Sequence, residues 1–191
     1  MKVSFNCPEC DDKLSGDHTI VGTEGRCPTC GSTIQVQSYF SYDLLNELWD
    51  SLCNELGGQI KEVTLFTPDE DGHSLAFTMN MPGEDDGQKV FLMESSAPDQ
   101  TNGSFVPSLR AWSTIFRSSD LNSVAQVLFR LTANVESYPS YQVRLSENDG
   151  GDYSVQLSYE AKIEDMNLMS FAELTIQLCL SAYKYKDQYC N

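Results

Sequence analysis

Cys7 and Cys10 in CPEC, with Cys27 and Cys30 in CPTC, form the pattern C-x2-C-x16-C-x2-C. A two-residue spacer turns the chain so that both sulfurs of a hook reach one ion, and the spacing falls within the range of four-cysteine zinc sites. Four thiolates fill a tetrahedral zinc completely. Such a site braces a fold and leaves no open position for a reactant. Two disulfides are the rival use of four cysteines, and iron can take the same sulfur ligands. The expected cofactor is one structural Zn2+ on Cys7, Cys10, Cys27 and Cys30. Gly31 follows the second hook, whereas Asp11 follows the first. That position calls for a positive φ, which Asp tolerates better than most residues.

No second constellation competes with this one. His18 and His73 are the only histidines, and both read as surface residues, with no Cys-His or Ser-His-Asp set in view. Catalytic residues and a cofactor pocket are therefore not expected. Cys53 and Cys179 fall on apolar helical stripes and read as small buried hydrophobes, while Cys190 is a tail cysteine. Asp69, Asp71 and Gly72 fail as a calcium loop, because Thr67 and Thr78 stand where the first and last ligands belong. They read as a hairpin turn. Asn102-Gly103-Ser104 is a sequon that is idle without secretion. The many tyrosines, Tyr141, Tyr153 and Tyr159 among them, read as core with wetted hydroxyl rims.

The elements that must position the hooks follow from periodicity. Residues 1–38 read as a zinc ribbon, with a turn at Gly22-Thr23-Glu24-Gly25 and a short strand at Thr33 to Val36. Residues 39–191 read as a separate α+β domain. Leu44, Leu45, Leu48, Trp49, Leu52, Cys53 and Leu56 repeat at helical spacing, and Gly57-Gly58 ends the run. Strands are expected around Val63–Leu65, Leu75–Met81 and Lys89–Glu94, with turns at Asp69–Gly72 and Glu84–Gly87. Pro98–Pro107 reads as a polar loop and Leu109–Phe116 as a candidate fourth strand. Ser119 or Asp120 can cap a helix lined by Leu121, Val124, Val127, Leu128 and Leu131. A hairpin runs from Tyr141 through Asn148-Asp149-Gly150-Gly151 to Tyr159. Ser170-Phe171-Ala172-Glu173 fits a capping box, so a last helix should start near Asn167 to Ser170. The order is α-βββ-α-ββ-α, an antiparallel sheet with helices covering its apolar face.

Composition restricts what this architecture can touch. The 191 residues carry a net charge of −16. The ribbon has three basic residues against five acidic ones, a net −2, and the remainder has nine against twenty-three, a net −14. Nucleic acid and anionic membrane both repel such a surface. Lys2-Val-Ser-Phe-Asn-Cys lacks an apolar signal-peptide core, and no apolar run is long enough to span a bilayer. Seven cysteines, an odd number, with three outside the hooks, suit a reducing cytoplasm.

Two resemblances complete the reading. CPEC, the Gly22–Arg26 segment and CPTCGSTIQV resemble the short zinc ribbon that opens many bacterial proteins. From about residue 41 to 189, LFRLTAN, YQVRLS, YSVQLSYEA and the final AYKYKDQY resemble the bacterial sensory-transduction-regulator (YbjN-like) family. That resemblance implies the type III secretion chaperone-like fold and a small, acidic, often homodimeric protein that works by binding other proteins. It supplies no catalytic motif. The expectation is a non-catalytic, chaperone-like regulatory module with a protein partner. The alternative is a nucleic-acid-associated regulator acting through its ribbon.

Overall fold

The computed structural model describes residues 2–69, 72–98, 105–134, 141–148 and 150–190. Strands β1 (Lys2–Asn6) and β2 (Lys13–Asp17) flank the first hook; β3 (Glu24–Arg26) and β4 (Thr33–Gln35) flank the second. Helix α1 (Asp43–Leu56) leads to four strands, β5 (Ile60–Asp69), β6 (Gly72–Met81), β7 (Glu84–Pro98) and β8 (Phe105–Ser118). Helix α2 (Leu121–Asn134), strands β9 (Gln142–Glu147) and β10 (Tyr153–Lys162), and helix α3 (Leu168–Cys190) follow. The class is α+β. The larger sheet has the order β2-β1-β5-β6-β7-β8-β10-β9, and β3-β4 stand apart as a two-stranded ribbon. Every pairing is antiparallel except β1 with β5.

The helices deliver their apolar stripes to one core. Leu45, Trp49 and Leu52 of α1, Val124 and Leu131 of α2, and Phe171 and Leu178 of α3 pack with Val63, Phe77, Leu92, Ala111 and Leu157 of the sheet. Trp49 is its hub. Tyr39, Phe40, Phe77 and Phe171 surround it with ring centroids 5.1–6.4 Å away, mostly edge-to-face, the arrangement that ring quadrupoles favour.

Several local features differ from the sequence expectation, each for a physical reason. The sheet has four strands between α1 and α2, not the three of the α-βββ-α-ββ-α order, because β8 is a full fourteen-residue strand. The expected loop at Pro98–Pro107 is shorter than its composition suggests. Ser96, Ala97 and Pro98 pair with Pro107, Val106 and Phe105, so only 99–104 remain, outside the described residues along with the sequon. The turn expected at Glu84–Gly87 falls earlier, at Pro82-Gly83, with Met81 paired to Glu84. Pro followed by a positive-φ Gly suits the centre of a tight turn, and Gly83 has φ 80°. Gly87 instead serves a bulge. Its φ is 69°, and a Cβ there would meet the Met79 carbonyl oxygen. The residues between Asp69 and Gly72 also lie outside the description, but those two pair across the β5–β6 ladder as a hairpin requires. Near the ribbon, the turn ends at Gly22, and Glu24 begins a strand.

Helix starts show the same mix. Asp120 caps α2 as expected: its carboxylate accepts from the amides of Asn122 (3.1 Å) and Ser123 (3.2 Å). These bonds, led by the Ser123 hydroxyl, hold its pKa below the usual 3.8. The capping box at Ser170–Glu173 does not form. Asn167 caps α3 through the Ser170 amide at 2.8 Å, and Glu173 accepts from Gln177. Helix α1 has no side-chain cap of its own. Glu94, reaching across from β7, accepts from the amides of Ser41 (3.0 Å) and Tyr42 (3.3 Å) and from the Ser41 hydroxyl. A buried carboxylate at a helix start is stabilised by those orphan donors and by the helix dipole. Asn46 fastens the same segment, donating to the Phe40 carbonyl and accepting from the Phe40 amide.

Candidate metal centre

The two hooks fold into matching knuckles. In the first, the Asp11 amide donates to the Cys7 carbonyl (2.8 Å) and the Cys7 amide to the Asp12 carbonyl (2.9 Å). In the second, Gly31 donates to Cys27 and Cys27 to Ser32, both at 2.9 Å. The pivot residues share the left-handed conformation, φ 57° at Asp11 and 74° at Gly31. Asp11 is the one non-glycine residue with positive φ among those described. Its side chain accepts from the Asn6 side-chain Nδ2 at 2.9 Å, a local bond of the kind that lets Asp occupy this region. The Thr29 hydroxyl donates to the Asp12 carboxylate and ties one knuckle to the other.

This symmetry brings together all four expected ligands. The sulfurs of Cys7, Cys10, Cys27 and Cys30 lie within 4.8 Å of one another. Cys7–Cys30 and Cys10–Cys27 stand at 3.8 Å. A tetrahedron with metal–sulfur bonds of about 2.3 Å has sulfur–sulfur edges of about 3.8 Å, whereas a disulfide closes to about 2.05 Å. None of the seven cysteines is in a disulfide. Cys7 and Cys27 are buried beside Ile34, with Phe5 and Leu14 packed against them, while Cys10 and Cys30 face solvent. The arrangement can hold one metal ion with no protein position left open.

The electrostatics fit that use. The Glu9 amide, helped by the Cys10 amide and the Ser32 hydroxyl, outweighs burial and holds the Cys7 thiol down to about 6. The Ser32 hydroxyl, then its amide, lowers Cys30. Cys10 receives the Asp12 amide, yet burial and the three neighbouring sulfurs push it up to about 12. Four thiolates cannot gather here on hydrogen bonds alone. A divalent cation removes the mutual repulsion and favours deprotonation of all four.

Outside the cluster, Cys53 and Cys179 are buried thiols pushed up to about 12 by desolvation, which suits packing and not ligation. His18 lies in a short 3-10 turn with Nδ1 2.8 Å from Asp17 and takes no part in the cluster. His73 lies within β6. Ser32, Thr29, Asp12 and Asn6, which support the knuckles, were not expected from the sequence. Ser32 alone had a readable cue, since a hydroxyl just after a knuckle can bond the preceding sulfur.

The knuckles are continuous with the rest of the molecule. Strand β1 adds to the main sheet alongside β5, in the register Lys2–Glu62, Val3–Val63 and Ser4–Thr64. The Ser4 hydroxyl reaches Glu62 and Thr64, both at 3.2 Å. Val3 and Val36 are buried in the main core, and Phe5 packs against both it and the cysteine cluster.

No family model matches this chain, and neither does any curated protein or solved structure. Among the described residues, no helix is long and apolar enough to cross a membrane.

Proposed function

We propose that the chain is a non-catalytic, chaperone-like regulatory module that binds other proteins, with one zinc ion closing its amino-terminal ribbon. Zinc is favoured over iron by the hook spacing and by its prevalence in structural ribbons. The YbjN-like resemblance, with the secretion-chaperone-like arrangement it implies, supports the protein-binding role. So does the excess of acid, which disfavours nucleic acid as a partner.

The observation that carries the reading lies on α2. Its inner residues Val124, Val127 and Leu131 are buried, yet Leu121, Ala125 and Phe129 recur every fourth position on its exposed side. Phe129 is 74% exposed and Leu121 51%. Exposed apolar groups aligned on one helix face support a partner-facing reading. An amphipathic client segment fits such a stripe.

The test is suppression of client aggregation. The native chain should slow aggregation of a thermally unfolding client protein, and Phe129→Asp should lose that effect while melting as the native chain does. A native chain without effect on any client, and without a stable self-association or protein complex, would count against the proposal.

A further inference from the structure

On the opposite side of the sheet from the helix-packed residues, β7 and β8 present Lys89, Phe91, Arg110 and Trp112 to a cavity of about 600 Å³. Phe91 and Trp112 are cross-strand partners. Their rings are stacked on each other, 9° from parallel with centroids 5.3 Å apart, and form an aromatic pair on this face. Lys89 stands 5.2 Å from the Phe91 ring centre and Arg110 5.6 Å from that of Trp112. Arg117 reaches the same cavity from the far end of β8. The chain has 28 acidic residues, yet no described one lines this space.

The positive charge here is only partly answered. Arg117 meets Asp152 at 3.3 Å. Arg110 has a buried Nε with no hydrogen-bond partner. Burial first, and then Arg144 on β9, lower its pKa, with only Glu160 opposing. Glu160 is itself occupied by the hydroxyls of Ser95 and Ser108. The partly buried Arg110 guanidinium keeps an unpartnered Nε, and a forked donor is suited to a phosphate. The volume lies within the roughly 300–1,000 Å³ of small-molecule sites.

We propose that this face is a binding site for a nucleoside 5′-phosphate, with the base against the Phe91–Trp112 pair and the phosphate on Arg110, supported by Arg117. Charge argues for a mononucleotide and against a long strand. A polymer would run beyond the cavity over a surface that sums to −16, whereas a single phosphate meets chiefly the charges within about one Debye length, ~8 Å. The site goes beyond the protein-binding reading and does not depend on it.

The experiment is calorimetric titration of the full-length chain at physiological ionic strength with the four ribonucleoside 5′-monophosphates, a free nucleoside, inorganic phosphate and a ten-nucleotide single strand. At least one monophosphate should saturate one site per chain, and nucleoside or phosphate alone should bind about tenfold more weakly or worse, each keeping one half of the contacts. Trp112→Leu and Arg110→Gln should each weaken the monophosphate about ten- to hundredfold. Arg117→Gln, at the exposed rim, is a second variant that spares the fold; it should weaken the monophosphate and leave the nucleoside unchanged. Unaltered melting curves certify each variant. The proposal is overturned if no monophosphate saturates, if inorganic phosphate binds as well as the nucleotide, if the single strand binds far more tightly than any monophosphate, or if properly folded variants bind like the native chain.

Discussion

The first cysteine knuckle is joined to the sheet-and-helix body through β1 and β2, and the second stands on the separate β3–β4 ribbon, but different physics holds knuckles and body. Around the knuckles, the buried cluster consists of Cys7, Cys27 and Ile34, and two of those three are candidate ligands. That is little apolar area around the sulfurs themselves, so on the proposed zinc reading coordination supplies much of the local ordering free energy. The body has the opposite character. Its core runs through all three helices and takes in Val3 and Val36 of the ribbon segment, and its own thiols, Cys53 and Cys179, are apolar filler.

Removing a ligand is the most forceful way to break the contrast. Structural zinc in small zinc modules supplies about 10–16 kcal/mol of apparent binding free energy at neutral pH. Cys27→Ser should therefore release the metal and unfold the knuckles and β3–β4. Hydrogen exchange should still find β6, β7, β8 and β10 protected, because their core does not include the sulfurs. Loss of protection throughout the sheet would show that the two regions fold as one unit. Carving the body's core is the converse. Trp49→Ala should cost about 3–5 kcal/mol and lower the melting temperature, with metal content unchanged. Loss of metal in that variant would mean that the body holds the ribbon together.

Smaller effects sharpen the picture at the joints. Glu94→Ala should cost about 1 kcal/mol, because it takes from the Ser41 and Tyr42 amides at the start of α1 the buried carboxylate they donate to; a melting curve unchanged from native would contradict the capping role. Asp120 gives the smallest effect, a pH-dependent one. Its pKa is lowered in the folded state, so its contribution is complete above about 3.8 and fades as pH falls through the lower folded value. Asp120→Asn keeps a capping oxygen but cannot titrate. The variant should lose less stability than the native chain on acidification below pH 4, and parallel losses would rule the effect out.

Much of this architecture was legible because short-range rules carry it. Hook spacing named Cys7, Cys10, Cys27 and Cys30, and the same spacing placed the pivots at Asp11 and Gly31. Helical stripes located α1 and α2, and the alternation from Tyr141 to Tyr159 announced the last hairpin. What escaped was non-local or hidden by competing local signals. Pairing of Ser4 with Thr64 spans the chain, and no periodicity in five residues announces a parallel partner. Glu94 caps a helix some fifty residues away, so no cap motif could reveal it. The box at Ser170–Glu173 had the right letters, but Asn167 stood three residues earlier and took the amide first. The aromatic and cationic alternation of Lys89-Phe91 and Arg110-Trp112 was present in the sequence, yet only the β7–β8 register brings the two rings together.

Metal content of the native chain tests the central claim most directly. Elemental analysis of protein purified without added metal or chelator should find one zinc per chain, and of the seven thiols the four in the knuckles should resist modification until a chelator is added. Substoichiometric metal together with four freely reacting knuckle thiols would contradict the account.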